Sequence, residues 1–286
     1  MLTEIQERFF YWIKERETIR IRKERQEFPL TQDPILSTYR FCNVDREYDA
    51  VTRWVKANVR DAFTHLAVNI QLMNLAAARI FNHPETLGEL LPITDFTKAA
   101  EALQDRKKAG LKILRGAYLM PPHRKGATSA VDYWLEVVQE VGKREYVDLH
   151  SLQDYASVLS SVRGLGPFLV NQLCTDLRYM PLGQNSSDWE TFLLCGPGTV
   201  RGLNRLYTGD PKVKACKPKE YVSKVLDLRN ILKARFPNLQ ETFRDPNNTA
   251  NCLCEFDKYE RCLENMLAEN PKRIKMRKFN TLNSAI

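Results

Sequence analysis

Between Leu2 and Arg25 the apolar residues Ile5, Phe9, Phe10, Trp12, Ile13 and Ile19 fall near helical spacing. One face of a long amphipathic helix collects them, and the helix should end before Pro29; its aromatic stripe reads as core. From Phe28 to Asn43, Pro29 and Pro34 interrupt the pattern and predict an ordered connection rather than a second long helix. Helical spacing resumes over Asp45 to Asn58. It recurs over Ala62 to Phe81, Ile93 to Ala109, Ser129 to Lys143, Leu149 to Ser160, Pro167 to Leu177, Asp188 to Leu194, Thr199 to Tyr207, Lys219 to Phe236 and Thr249 to Ala268. Thr94 or Asp95 can cap one of these segments, and Gly110 follows it where a left-handed residue is wanted. Few alternating stretches compete, so the pattern predicts an all-α chain. No repeat and no Gly/Ser linker interrupts it, which predicts one compact helical unit over residues 1–268 and a basic tail over 269–286.

Composition adds a partner class. The 43 Lys and Arg against 35 Asp and Glu leave a formal charge of +8, which favours a polyanion such as nucleic acid. The basic residues Arg16, Arg20, Arg22, Lys23 and Arg25 alternate with Glu15, Glu17, Glu24 and Glu27, so they also fit a solvated helix face of i,i+4 pairs. The tail Lys272, Arg273, Lys275, Arg277, Lys278 has few acids to offset it and can track phosphates without a fixed fold. No stretch approaches the roughly 18 to 20 apolar residues of a membrane span, and MLTEIQERFF lacks a signal-peptide layout. A cytoplasmic protein with no membrane partner is expected, and a monomer. Seven cysteines, an odd number and mostly scattered, suit reduced thiols. Cys252, Cys254 and Cys262 match neither a zinc nor an iron–sulfur spacing, and His65, His83, His123 and His150 show no ligand spacing, so no metal or cofactor is expected.

The clearest local signal is Ser161-Val162-Arg163-Gly164-Leu165-Gly166-Pro167-Phe168-Leu169-Val170-Asn171. Two glycines permit a tight turn, Leu165 anchors it, and Pro167 suits the first turn of a helix. Free backbone N–H groups at that helix start attract an anion, and Arg163, Gly164, Leu165, Gly166 and Phe168 become the expected contacts to a DNA phosphate rather than to bases. A structural C-cap uses the same glycines. Around 149–177 the arrangement resembles a helix-hairpin-helix motif, and the resemblance extends in part to DNA glycosylases of that class. It implies an acidic catalytic residue about two helical elements downstream, where Asp188 opens Asp188-Trp189-Glu190. Phe168 stands nearest the position of the Schiff-base lysine of the bifunctional members, which disfavours lyase chemistry. A helix N-cap accounts for Asp188 equally well.

A second resemblance is carried by Arg16-Glu17-x-Ile19-Arg20, Asp33-Pro34-Ile35-Leu36, and Arg40-Phe41-Cys42-Asn43-Val44-Asp45-Arg46 with Asp49, Thr52 and Trp54. It continues in Gly196-Pro197-Gly198-Thr199-Val200-Arg201-Gly202 and Cys254-Glu255-Phe256-Asp257-Lys258-Tyr259. Together these strings, spanning most of the chain, resemble the phage alpha-glutamyl/putrescinyl thymine pyrophosphorylases, also described as amino acid:DNA transferases. The resemblance implies exchange of the pyrophosphate on a hydroxymethylated thymine in DNA for the amine of an amino acid or polyamine. The same helical domain occurs joined to the kinase that phosphorylates 5-hydroxymethyluracil in DNA, but the sequence contains no Gly-x-x-x-x-Gly-Lys-Ser/Thr phosphate loop.

On that reading the base is flipped from the duplex and supported by Trp189. Arg40, Arg46 and Arg201 stabilise the departing pyrophosphate, Asn43 bonds the uracil edge, and Asp188, or second Asp257, receives the amine proton. Arg20, Lys258 and Tyr259 complete the substrate set. A structural network pairing Arg40 and Arg46 with Asp45 or Asp49 is the alternative for those residues. Two other functions stay open: a monofunctional glycosylase using Asp188, and a noncatalytic DNA-binding partner of a separate modifying enzyme.

Overall fold

The computed structural model describes residues 3–115, 130–269 and 278. Among them are twelve α-helices and no β-strand, only an isolated antiparallel bridge between Tyr39 and Lys278, so the all-α class read from the pattern is the one adopted. Lys272, Arg273, Lys275, Arg277 and His123 lie outside the described residues, as do the predicted helix starts Leu2 and Ser129.

Helix α1 (Glu4–Arg25) opens on a capping box between Thr3 and Gln6 and closes on the basic residues Arg22, Lys23 and Arg25, as the helix dipole favours. It buries the aromatic stripe, Phe9, Phe10 and Trp12, and also Arg16 and Glu17. The connection after Pro29 contains a short helix, α2 (Pro34–Thr38): Asp33 Oδ1 accepts the backbone N–H groups of Ile35 and Leu36 at 2.8 Å each, and Pro34 takes the first position.

The helix expected over Asp45 to Asn58 is broken. Asp45 caps a 3-10 turn, Arg46–Tyr48, and the Asp49 carboxylate turns back to Asn43 and Arg46. The chain restarts as α3 (Ala50–Val55) and loosens into a π-helical turn, Lys56–Arg60. Next come α4 (Val68–Phe81), α5 (Pro84–Leu90), α6 (Phe96–Lys108), α7 (Ala130–Gly142), α8 (Leu152–Ser160) and α9 (Pro167–Leu177). Then follow α10 (Pro197–Thr208), α11 (Tyr221–Arg235) and α12 (Pro246–Leu267). The cap of α6 is Asp95, and Gly110 has a φ of 68°, the left-handed conformation expected of it. The segment Ala62–Phe81 is helical only from Val68. Helix α5, which apolar spacing does not announce, is set by His83-Pro84, with the His83 ring accepting the Thr86 N–H.

Packing groups these elements into two compact units, one continuous over residues 50–194 and one joining residues 1–49 to 195–286. In the first, α4 packs on α7 and α9 through Leu72, Leu75, Ala76 and Phe81 against Val138, Val141, Leu173 and Cys174. An ion cluster is buried in the same unit: Asp176 pairs with Arg79, Nη2 at 2.6 Å, and with Arg60, Nη1 at 3.5 Å. In the second unit α10 lies directly on α12. A Cβ at Gly202 would sit 2.1 Å from the Leu253 carbonyl oxygen, and one at Gly198 would sit 2.3 Å from Cys254 Sγ. The two glycines spaced one helical turn apart therefore let two backbones touch.

Candidate functional site

In the unit of residues 50–194, helix, turn and helix stand where the glycine pattern placed them. Ser151 and Asp154 form a capping box at the start of α8, and the turn closes with the Leu165 N–H on the Val162 carbonyl at 3.1 Å. Gly164 has a φ of +105°, and a Cβ there would meet Val137 Cγ2 at 2.6 Å and the Tyr133 hydroxyl at 2.8 Å, so the position requires glycine twice over. Leu165 is buried in the core, while Arg163, Gly166 and Phe168 are exposed. Gly166 opens α9 with no side-chain cap, and space beside it is open. An exposed helix start without a side-chain cap has the partial positive charge that suits a phosphate. A groove of about 370 Å³ lies where Arg163 meets α7, bordered by Lys143 and Arg144 but also by Glu136 and Glu140.

Asp188 and Trp189 belong to the same unit and are tied to that substructure. Asp188 Oδ1 accepts the Leu152 N–H at 2.7 Å and Oδ2 the Gln153 N–H at 2.9 Å, so this carboxylate seats the start of α8. The expected helix over Asp188–Leu194 is a single turn, with Phe192 N bonded to the Asp188 carbonyl at 2.8 Å. It goes no further because buried Arg178 draws the Phe192 carbonyl to its Nη2 at 2.7 Å, and Asn171 takes the Leu194 N–H. Trp189 is half-buried: its indole N–H donates to the Arg178 carbonyl at 2.8 Å, and its ring meets Tyr179 edge-on at 5.9 Å.

In the other unit, α1, the segment 40–49 and α12 assemble most of the remaining motif residues. Arg16, 7% exposed, donates to the carbonyls of Cys42 and Phe41 and to Asn43 Oδ1 at 3.2 Å. The Asn43 amide nitrogen donates to Asp49 Oδ1 at 3.0 Å, which fixes which way the amide faces. Arg46 Nε donates to Asp49 Oδ2 at 2.7 Å, and α12 closes the ring through Asn248 and Asn251. Glu255 holds the Cys42 N–H at 2.9 Å and the Lys258 ammonium at 2.7 Å; that ammonium also reaches the Arg40 carbonyl. Arg20 pairs with Glu17 and Glu24 and lies over the Tyr48 ring, 4.2 Å from its centroid. Tyr259 donates to Asp33 at 2.8 Å; burial first, then the Asp33 carboxylate, raise its phenol above the ordinary value.

Arg201 and Asp257 meet directly, Nε to Oδ2 at 2.9 Å. Asp257 also holds Arg205 at 2.8 Å and Arg261 at 3.4 Å. The motif strings did not single out Arg205, Arg261 or Asn251; α-helical spacing from Asp257 to Arg261 was the available signal. Burial pushes the Cys42 and Cys252 thiols well above their usual range, which keeps them protonated and inert. Among the described residues no three His, Cys, Asp or Glu are arranged to hold a metal ion, and no helix is long and apolar enough to cross a membrane.

Asn43, Arg46, Glu255 and Lys258, scattered over two distant stretches of sequence, thus form one hydrogen-bonded body around α1 and α12. The chain is 25% identical over 228 residues to a 5-hmdU DNA kinase of Bacillus phage SP10, an alignment covering 70% of this chain and 36% of the relative. The chain therefore spans about a third of that protein's length. No solved structure matches it. The family described as "5-hmdU DNA kinase, helical domain" matches residues 3–268, from the first residue of the Thr3 capping box through the end of α12, and the chain belongs to that family.

Proposed function

We propose that the chain is a phage DNA thymine-hypermodification enzyme, a transferase that exchanges the pyrophosphate of 5-pyrophosphoryloxymethyl-deoxyuridine in DNA for the amine of an amino acid or polyamine. The observation that carries the reading is the fixed Arg16–Asn43–Asp49–Arg46 network, built from the strings that resemble the amino acid:DNA transferases, inside a helical domain whose family takes its name from a kinase of a modified DNA base. The absence of a phosphate loop from the sequence favours transfer over a kinase reaction in this chain.

In the reaction the amine lone pair forms a C–N bond at the C5 methylene, the C–O bond to pyrophosphate breaks, and its electron pair leaves on the bridging oxygen. Negative charge grows on that oxygen, and Arg40, Arg46 and Arg201 are the cations assigned to it. Asn43, with one amide N–H and one side of Oδ1 uncommitted to Asp49 and Arg16, is assigned to the uracil edge. The uncapped start of α9 with Arg163 is assigned to the DNA backbone. The nitrogen gives up its extra proton to a carboxylate. Asp188 is the carboxylate assigned to it, with both oxygens on backbone N–H groups and lone pairs left for a further proton donor; Asp257, the second choice, is fully buried beneath its guanidiniums.

The test incubates the full chain with duplex bearing pyrophosphorylated hydroxymethyluracil and a panel of amines, then digests to nucleosides for mass spectrometry. A mass gain matching one donor, with pyrophosphate released, is the expected result. Free modified base in the supernatant points to a glycosylase instead, and unchanged DNA with every donor defeats the proposal.

A further inference from the structure

We infer that Arg201 and Arg261 form a two-guanidinium clamp for a phosphoryl anion, set in place by the buried carboxylate of Asp257. Asp257 is fully buried, and a carboxylate withdrawn from water requires close cationic partners. It has three. Arg205 docks on Oδ1, is itself 4% exposed, and commits its terminal nitrogens to Glu264, so it serves only to hold the acid. Arg201 donates from Nε to Oδ2 at 2.9 Å; Arg261 Nε donates to the Asp257 backbone carbonyl at 3.4 Å and lies the same distance from Oδ2, and the two side chains are 44% and 50% exposed. Docking by Nε leaves the Nη pair of each guanidinium, which carries four of its five donors, for another acceptor. Among the described residues those terminal nitrogens have no hydrogen-bond partner.

Charge and geometry agree on the ligand. Three guanidiniums face two carboxylates, Asp257 and Glu264, which leaves one positive charge uncompensated at the exposed end of the cluster. Two forks on separate helices, α10 and α12, come together at Asp257, so the outer donors of two guanidiniums stand beside one another at the exposed end of the cluster. A phosphoryl group matches the arginine fork, and its several oxygens can accept from both guanidiniums at once. The anion is either a pyrophosphoryl group or a phosphodiester of the DNA backbone. The site deepens the function proposed above, and rests on that reading only for the choice between these sources.

The test titrates the full chain with inorganic pyrophosphate by calorimetry and, separately, with an unmodified duplex by fluorescence anisotropy at one fixed salt concentration. The variants are R201Q, R261Q and, as an equal loss of charge at an exposed site elsewhere, K98Q. Each clamp variant should weaken one of the two affinities about tenfold, the size of one charge-assisted hydrogen bond, while K98Q does not. Loss on pyrophosphate identifies the pyrophosphoryl group as ligand, and loss on duplex identifies the backbone. If R261Q, at a half-exposed position that leaves folding intact, changes neither affinity beyond K98Q, or if the unaltered chain binds neither probe, the clamp is wrong. Transfer is not the readout, so the absence of amine transfer leaves this result standing, and failure of the clamp leaves transfer to be judged by its own assay.

Discussion

Asp176, at 1% exposure, shows how single residues hold this fold. Its carboxylate serves Arg79 and Arg60, whose side chains are 5% and 1% exposed, so Asp176→Asn removes the negative charge that two buried guanidiniums share. The expected cost is about 3–5 kcal/mol, the range for breaking a buried pair from one side, and urea unfolding measures it. At Asp188 the expectation combines stability and activity. Asp188→Asn removes one of the two acceptors that seat α8 and should lower stability by about 1 kcal/mol while abolishing amine transfer. A variant that keeps full transfer confines Asp188 to capping. The acidic character of this position was legible in the sequence; its partner was not, because the capped helix starts 36 residues upstream of the acid.

At the scale of elements, the glycine strings resolve into two different jobs. Gly164 shapes a turn, whereas Gly198 and Gly202 bring α10 onto α12. Gly202→Ala places a methyl against the Leu253 backbone, which cannot yield as a side chain would. A loss of about 1–3 kcal/mol is expected, visible as a lower Tm. Helix α5 carries a pH dependence. Burial holds the His83 imidazole below its ordinary value of 6.5, and its Nδ1 sits against both the Thr86 hydroxyl and the Thr86 N–H at the start of the helix. A folded pKa below the unfolded one means that the contribution is complete above the unfolded value and lost as pH falls through the folded value. Tm should therefore drop as pH falls below about 6.5, and His83→Asn, which caps without titrating there, should flatten the drop. Long helices such as α1 and α9 could be read from apolar spacing. The breaks at Asp45–Asn58 and Asp188–Leu194 could not, because distant or side-chain hydrogen bonds end those segments rather than their own periodicity.

For the whole molecule, charge is the property with a direct measurement. A formal charge of +8 and an uncapped α9 start beside exposed Arg163 lead us to expect salt-sensitive duplex binding. Arg163→Gln should reduce the slope of log affinity against log salt by about 1 if that guanidinium neutralises one phosphate, and an unchanged slope excludes the contact. The partition of the chain bears on how such variants are read. Residues 1–49 pack with residues 195–286, so substitutions in α1 and α12 perturb one unit although they are far apart in sequence.

Local chemistry written in the sequence was enough to determine the helical class and the Gly164–Pro167 turn, because periodicity and glycine φ act within a few residues; the helix starts at Asp33-Pro34 and Asp245-Pro246 were not read from it. Only tertiary structure decided that Arg16 orients Asn43, that Glu255 joins Cys42 to Lys258, and that Asp257 gathers three arginines. Those links are between charged or polar groups brought together by helix packing, and an isolated helix face carries the same arginine whether it pairs with a neighbour, a distant carboxylate or a phosphate.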